Sequence, residues 1–198
     1  MISATKHIIG RSLAAVVTAA LVAACDTGTT GPDGTSAMRL GVAASADESE
    51  DALRAVDLGT CDSLQPPAGT ILVARMFAEG VQVYRWNGAS WSFVAPSATL
   101  YADAAMTGVL GTHFVGPTWQ SVSGGTVVGA ASKRCTPDAS AIPWLLLTAT
   151  PDGPGIFEKV AFIQRLNTVG GIAPAQAGRF VGDRRAVPYT ATYTFYRY

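Results

Sequence analysis

Short runs in which every second residue is apolar, each closed by glycine or proline, set the fold class of this chain. Val81, Val83 and Arg85 fall on one strand face and Gln82, Tyr84 and Trp86 on the other. Asn87-Gly88 follows, and Trp91, Phe93 and Ala95 return. Asn-Gly between alternating runs is a strong hairpin signal, because both residues tolerate the positive φ of a tight turn. A second hairpin is expected where residues 117–123 and 126–130 flank Gly124-Gly125. Residues 143–150 (PWLLLTAT) are short, almost continuously apolar and followed by Pro-Asp-Gly-Pro-Gly, which suits a strand buried on both faces. At the C-terminus Val187, Tyr189, Ala191, Tyr193 and Phe195 alternate with Pro188, Thr190, Thr192, Thr194 and Tyr196, and that apolar face should close the core. With no long helical pattern among these strands, the expected fold is all-β, a single antiparallel β-sandwich or barrel.

The N-terminus carries a different message. Lys6 and Arg11 precede residues 12–24 (SLAAVVTAALVAA), which hold no charge. A run of that length falls short of the roughly 20 residues that span a bilayer, so it reads as a signal peptide. Val22-Ala23-Ala24-Cys25 resembles the bacterial lipobox, with Val in place of the commoner Leu at its first position. The resemblance implies acylation of Cys25 (palmitate among the chains), cleavage before it, and a membrane-anchored exported lipoprotein at the periplasmic or outer face. Each buried methylene contributes about 0.8 kcal/mol, so several acyl chains anchor stably. Asp26 resembles an inner-membrane retention signal, and the sequence leaves inner against outer membrane open. The bland alternative is an ordinary signal peptide with an incidental thiol.

These readings divide the chain into a lipoprotein signal peptide (1–24), a flexible tether (25–63) and a β-rich domain (64–198). The tether is rich in Thr, Gly, Ser and Ala up to about residue 46. Residues 47–58 (DESEDALRAVDL) are compatible with a short helix, acidic at its start. Removing residues 1–24 takes away two basic groups, leaving 12 Lys and Arg against 14 Asp and Glu. Nucleic acid is therefore not an expected partner, since no basic cluster exceeds the pairs Lys133-Arg134 and Arg184-Arg185. Once Cys25 is acylated, Cys61 and Cys135 remain in a compartment that permits disulfides. Closing so long a loop would restrict the unfolded chain, but the sequence says nothing about their distance.

Several segments are similar in order and spacing to one known family. They include GVQVYRW (80–86), residues 91–96, GTHF (111–114), GPTW (116–119), IPWLLL (142–147), QRLNT (164–168) with Gly170-Gly171, and the closing VPY (187–189) with YTFY (193–196). Together they resemble the domain of unknown function 3455 family across residues 66–198. Membership implies an exported protein and no assigned catalytic residue. Some fungal relatives carry the label malate dehydrogenase, yet this chain has no strand-Gly-x-Gly-x-x-Gly-helix unit for a dinucleotide. Many members have cysteine where Trp86 stands here and again near Gly178, and this chain has neither.

The chemistry offered by the residues is sparse. His113 is the one histidine that survives processing, so a zinc centre would have to share it with two distant cysteines and carboxylates; no metal and no cofactor are called for. A Ser-His-Asp arrangement would also need His113, and no Gly-x-Ser-x-Gly elbow accompanies it. Asp26-Thr27-Gly28 matches the aspartic-protease triplet by chance, having no second copy. Glu79, Asp103 and Glu158 are carboxylates available for glycoside hydrolysis, with no known spatial relation.

The aromatic residues point elsewhere. Trp86, Trp91, Trp119 and Trp144, with Tyr84, are enough to line an apolar groove or a sugar-stacking surface. Trp144 and Phe93 read as core, whereas Trp86 beside the Asn-Gly turn and Trp119 after Gly-Pro are the candidates for exposure. The ligand-binding set is then Trp86, Trp119, Tyr84, His113 and Gln82. Three function classes follow, in this order: an envelope module binding a saccharide or small apolar ligand, a structural or interaction lipoprotein, and an envelope hydrolase. Catalysis is the weakest reading, and the sequence leaves the oligomeric state open.

Overall fold

The computed structural model describes residues 56–198. The signal peptide, Cys25, the tether to residue 55 and most of the 47–58 helix lie outside them. Eight strands follow in chain order: β1 (Ile71–Trp86), β2 (Trp91–Tyr101), β3 (Val109–Phe114), β4 (Thr118–Ser121), β5 (Thr126–Cys135), β6 (Trp144–Asp152), β7 (Phe162–Gly170) and β8 (Arg184–Arg197). Each pairs antiparallel with the next, and β8 returns to β1, so the sheet is a closed barrel rather than a sandwich. Closure removes the edge strands that a sheet of this length would otherwise expose.

Both expected hairpins form. In the first, Trp86 pairs with Trp91, leaving a four-residue loop, 87–90, in place of a two-residue turn. Asn87 accounts for the longer loop, since its Oδ1 accepts from the backbone N–H groups of Ala89 and Ser90 at 2.9 and 2.8 Å, while Gly88 takes φ +102°. In the second, Gly124 and Gly125 take φ +98° and +75° between β4 and β5.

The interior of the barrel is filled by one cluster that includes Met76, Ala78, Leu100, Trp119, Leu147, Ile163, Tyr193 and Phe195. Eight strands leave an interior just wide enough for side chains or one small ligand. A second cluster lies outside the wall, where Leu146 and Leu166 meet Leu58, Cys61 and Leu64. Leu145, Leu146 and Leu147 are consequently all buried, as expected for a strand covered on both faces. β8 is likewise covered on both sides. Its inner face carries Tyr189, Ala191, Tyr193 and Phe195, and its outer residues Thr192, Thr194 and Tyr196 are buried as well. Gln164 makes that outer burial tolerable: its Oε1 accepts from the hydroxyls of Thr194 and Tyr196, both at 2.8 Å, and its Nε2 donates to the Leu64 carbonyl at 2.9 Å.

The segment ahead of β1 is packed earlier than Leu64, where the sequence reading began the domain. Residues 56–58 are not helical, Leu58 and Cys61 are buried, and a 3-10 turn spans Asp62–Leu64. Cys61 is joined to Cys135 at the end of β5 by a disulfide, Cα to Cα 5.7 Å, across a sequence separation of 74. That bridge ties the segment to the wall that Leu58 and Leu64 cover.

One core assignment is corrected. Phe93 is 54% exposed. The register of β1 and β2 shifts at Val83/Tyr84, and β3 pairs only with Ala98 to Tyr101 of β2, so Phe93 stands at the rim beyond the reach of the neighbouring strand.

Candidate functional site

Register decides which side chains share the barrel interior, because residues directly opposite in a ladder point to the same face. Arg165 on β7 pairs with Leu145 on one side and with Tyr193 on the other, and both of those belong to the interior core. A guanidinium therefore enters the barrel from an inward position. Its Nε and Nη2 donate to the Pro143 carbonyl at 3.1 and 2.8 Å. The side chain is half-buried and makes no ion pair with a carboxylate among the described residues.

Around it stand His113, Tyr189, Tyr193 and Tyr84, on each of which the Arg165 charge acts. His113 is 3% exposed and stacks on Trp119, ring centroids 4.2 Å apart and planes 13° from parallel. Tyr193 meets both rings edge-on at 5.1 and 5.2 Å. The His113 Nδ1 lies 2.9 Å from the Thr118 carbonyl, which can only accept, so the proton sits on Nδ1 and Nε2 is the basic nitrogen. Burial pushes the imidazole pKa down to about 4, against the Thr118 hydrogen bond and with the help of Arg165, so His113 is neutral near pH 7.

Burial also raises the phenols. The Tyr189 and Tyr193 hydroxyls lie 3.4 Å apart, and both ionise well above the ordinary tyrosine range. Tyr84 donates to the Gly171 carbonyl at 2.7 Å, and burial raises its pKa too. Gly171, at φ +78°, closes this end of the barrel: a Cβ there would lie 2.9 Å from Tyr189 and 3.1 Å from both Gln82 and Ile142.

Two buried donors stand out. Gln82 is 2% exposed and Trp119 1%; neither Gln82 Nε2 nor Trp119 Nε1 makes a well-formed hydrogen bond among the described residues, although the Gln82 amide acts on the Tyr189 phenol. The cluster thus presents N–H and O–H donors from Gln82, Trp119, Tyr189, Tyr193 and Arg165, and it holds no carboxylate. A surplus of donors in a low-dielectric interior suits a ligand that brings acceptors.

The structure unites part of the sequence-predicted set and disperses the rest. Gln82, Tyr84, His113 and Trp119 all face the interior, while Trp86, on the same strand face two residues past Tyr84, lies at the rim against Trp91, centroids 5.5 Å apart. An exposed row of Trp86, Trp119 and Tyr84 does not exist, because the first residues of β4 carry Trp119 into the barrel and Tyr84 is only 8% exposed. Trp144 is half-buried at the start of β6. Glu79, Asp103 and Glu158 are exposed on β1, the β2–β3 loop and the β6–β7 loop respectively, and His113 contacts none of them. Among the described residues no three His, Cys, Asp or Glu side chains group around a common point.

Sequence reasoning placed Tyr189 and Tyr193 in the core and missed Arg165. The available signal was Arg165 alternating with Ile163, but only the pairing with Tyr193 turns that alternation into an inward position.

Trp86 packs closely against Gly178. A Cβ on Gly178 would lie 2.5 Å from the Trp86 Cβ. The indole occupies the space against the glycine.

A family model described as protein of unknown function (DUF3455) matches residues 67–197. No curated protein and no solved structure matches the chain.

Proposed function

This chain belongs to the DUF3455 family, and we propose that it is a membrane-tethered envelope lipoprotein whose barrel binds a small, largely apolar ligand with an acceptor-bearing end. The observation that carries the reading is the pair of buried donors without a well-formed hydrogen bond, Gln82 Nε2 and Trp119 Nε1, beside the Arg165 guanidinium, which has no carboxylate partner among the described residues. A barrel packed for stability alone gains nothing from them, because each buried unsatisfied donor costs about 1–3 kcal/mol. Barrel mouths are common ligand sites, and Phe93 at the rim offers an exposed aromatic face beside Tyr84, centroids 5.8 Å apart.

The saccharide form of the reading loses its stacking row, since Trp119 and Tyr84 are inside. A hydrolase finds no support in the hydrogen bonds of His113, whose Nδ1 is spent on a backbone carbonyl. Membrane tethering rests on the lipobox-like Val22 to Cys25, and a Cys25→Ser chain should lose acyl incorporation.

Binding is tested by titrating the full chain with 1-anilinonaphthalene-8-sulfonate and its neutral counterpart N-phenyl-1-naphthylamine, following probe emission and the melting temperature. One saturable probe per chain, raising the melting temperature and weakened at least tenfold by Arg165→Gln, is the expected result. Absence of saturable binding by either probe sinks the reading.

A further inference from the structure

The rim formed by the β1–β2 turn and the loop between β7 and β8 carries a second surface, adjoining the Tyr84–Phe93 end of the barrel. Arg85 and Arg184 sit directly opposite each other in the β1–β8 ladder, both exposed and neither paired with a carboxylate among the described residues. Like charges at opposed positions destabilise a sheet, so their juxtaposition calls for something outside the chain.

Arg179 and Arg185 join them. Both contact Asp183, at 3.4 and 2.8 Å, yet their side chains stay 71% and 39% exposed while the carboxylate is 3% exposed. Two of the four arginines thus hold one sequestered acid, and Arg85 and Arg184 stand free of it on the other strand face. The apolar partners are equally exposed: Phe180 at 61% and Val181 at 69% form the tip of the loop. Arg179 lies over the Phe180 ring and Arg185 over Trp91, each 5.8 Å from the centroid.

The patch is held as one body. Trp91 Nε1 donates to the Gln176 carbonyl at 2.8 Å, the Trp86 N–H donates to the Asp183 carbonyl and the Gly182 N–H to the Trp86 carbonyl, both at 2.8 Å. Gly88 packs near Val181, and Gly178 against Trp86.

We propose that this rim docks on the surface of an anionic lipid bilayer, with the arginines on phosphate headgroups and Phe180, Val181 and the half-buried Trp86 and Trp91 at the headgroup boundary. Arginine supplies bidentate phosphate contacts, and tryptophan and phenylalanine favour the interface between water and acyl chains. The mixture of exposed apolar residues with unpaired cations matches a bilayer better than a soluble polyanion, which would leave Phe180 and Val181 in water. The surface adjoins the mouth at Tyr84 and Phe93 without using the interior donors, and would orient a chain tethered at Cys25.

All four tryptophans lie at positions 86, 91, 119 and 144, so emission reports on the barrel and not on the anchor. The test reconstitutes the full chain into phosphatidylcholine vesicles with and without phosphatidylglycerol, each carrying brominated lipid as a quencher. Quenching in the phosphatidylglycerol vesicles only, reduced by salt, is expected. Arg85→Ala/Arg184→Ala should lower docking by roughly tenfold or more, since each basic residue near an anionic surface contributes about a fivefold factor. Phe180→Ser/Val181→Ser should also reduce it, while Lys133→Ala/Arg134→Ala, on β5, should not. The melting temperature of each variant checks that the fold is kept. Equal quenching in neutral vesicles, no quenching, or indifference to the Arg85/Arg184 pair overturns the proposal. So does a response to heparin that matches the vesicles and ignores the Phe180 variant, which would assign the surface to a soluble polyanion.

Discussion

The imidazole of His113 lies flat on the indole of Trp119, 4.2 Å between centroids, with its pKa held down at about 4 by burial. That contact makes His113 an acid-sensitive part of the core. The folded state takes up the proton near pH 4 and the unfolded chain near 6.5, so between those values the unfolded state binds more protons. The stability contributed is fully present above pH 6.5 and is lost as pH falls toward 4, by about 3 kcal/mol at most. Thermal melts from pH 7 to 4.5 should show a falling midpoint that His113→Phe flattens. A wild-type midpoint that is level over this range contradicts the assignment.

Trp119 should be a core residue in solution. Removing it empties the space among His113, Tyr193 and Phe195, and a Trp→Ala change in such a place costs about 3–5 kcal/mol. Urea unfolding of Trp119→Ala should show a midpoint lowered by that amount, or loss of the cooperative transition. A variant as stable as the parent would return Trp119 to the surface.

The Cys61–Cys135 bridge closes a loop of 74 residues in sequence separation, which in the chain-entropy description stabilises by roughly 4 kcal/mol. Intact mass should rise by two hydrogens on reduction, with Cys61 and Cys135 unalkylated in the native protein. Replacing both cysteines by serine should lower stability by about 2–5 kcal/mol and loosen the segment around Leu58 and Leu64 first, read by hydrogen exchange.

Gln82 separates stability from binding. Gln82→Met keeps the side-chain volume and removes the unpartnered donor, so the ligand-free protein should gain about 1 kcal/mol in urea unfolding. The same change should weaken the anilinonaphthalene sulfonate probe. A variant that is destabilised would show that Gln82 is satisfied in solution and would remove one support of the ligand site.

Much of the fold was legible in the residues alone. The Val81 to Ala95 and Gly124-Gly125 hairpins, the doubly covered 143–150 strand and the alternating C-terminal strand follow from period-two patterning and turn chemistry, which are local properties. The exposure of Phe93 and the burial of Trp119 were not legible, because they depend on where β3 stops and where β4 enters the barrel. Neither was the four-residue loop at Asn87, which a side-chain hydrogen bond selects.

By itself the sequence determined an all-β domain, and which residues alternate on each strand. Alternation assigns a side chain to one of two faces but cannot say which face the barrel encloses. That was decided only by closure of β1 on β8 and by the register of β7 against β8, which brings Arg165 opposite Tyr193 and sets both near Gln82 of β1 and the His113–Trp119 pair of β3 and β4. The same closure sets Arg85 opposite Arg184, some hundred residues away, and leaves both facing solvent. Local patterning is a property of neighbours along the chain, and sites are made by neighbours across it.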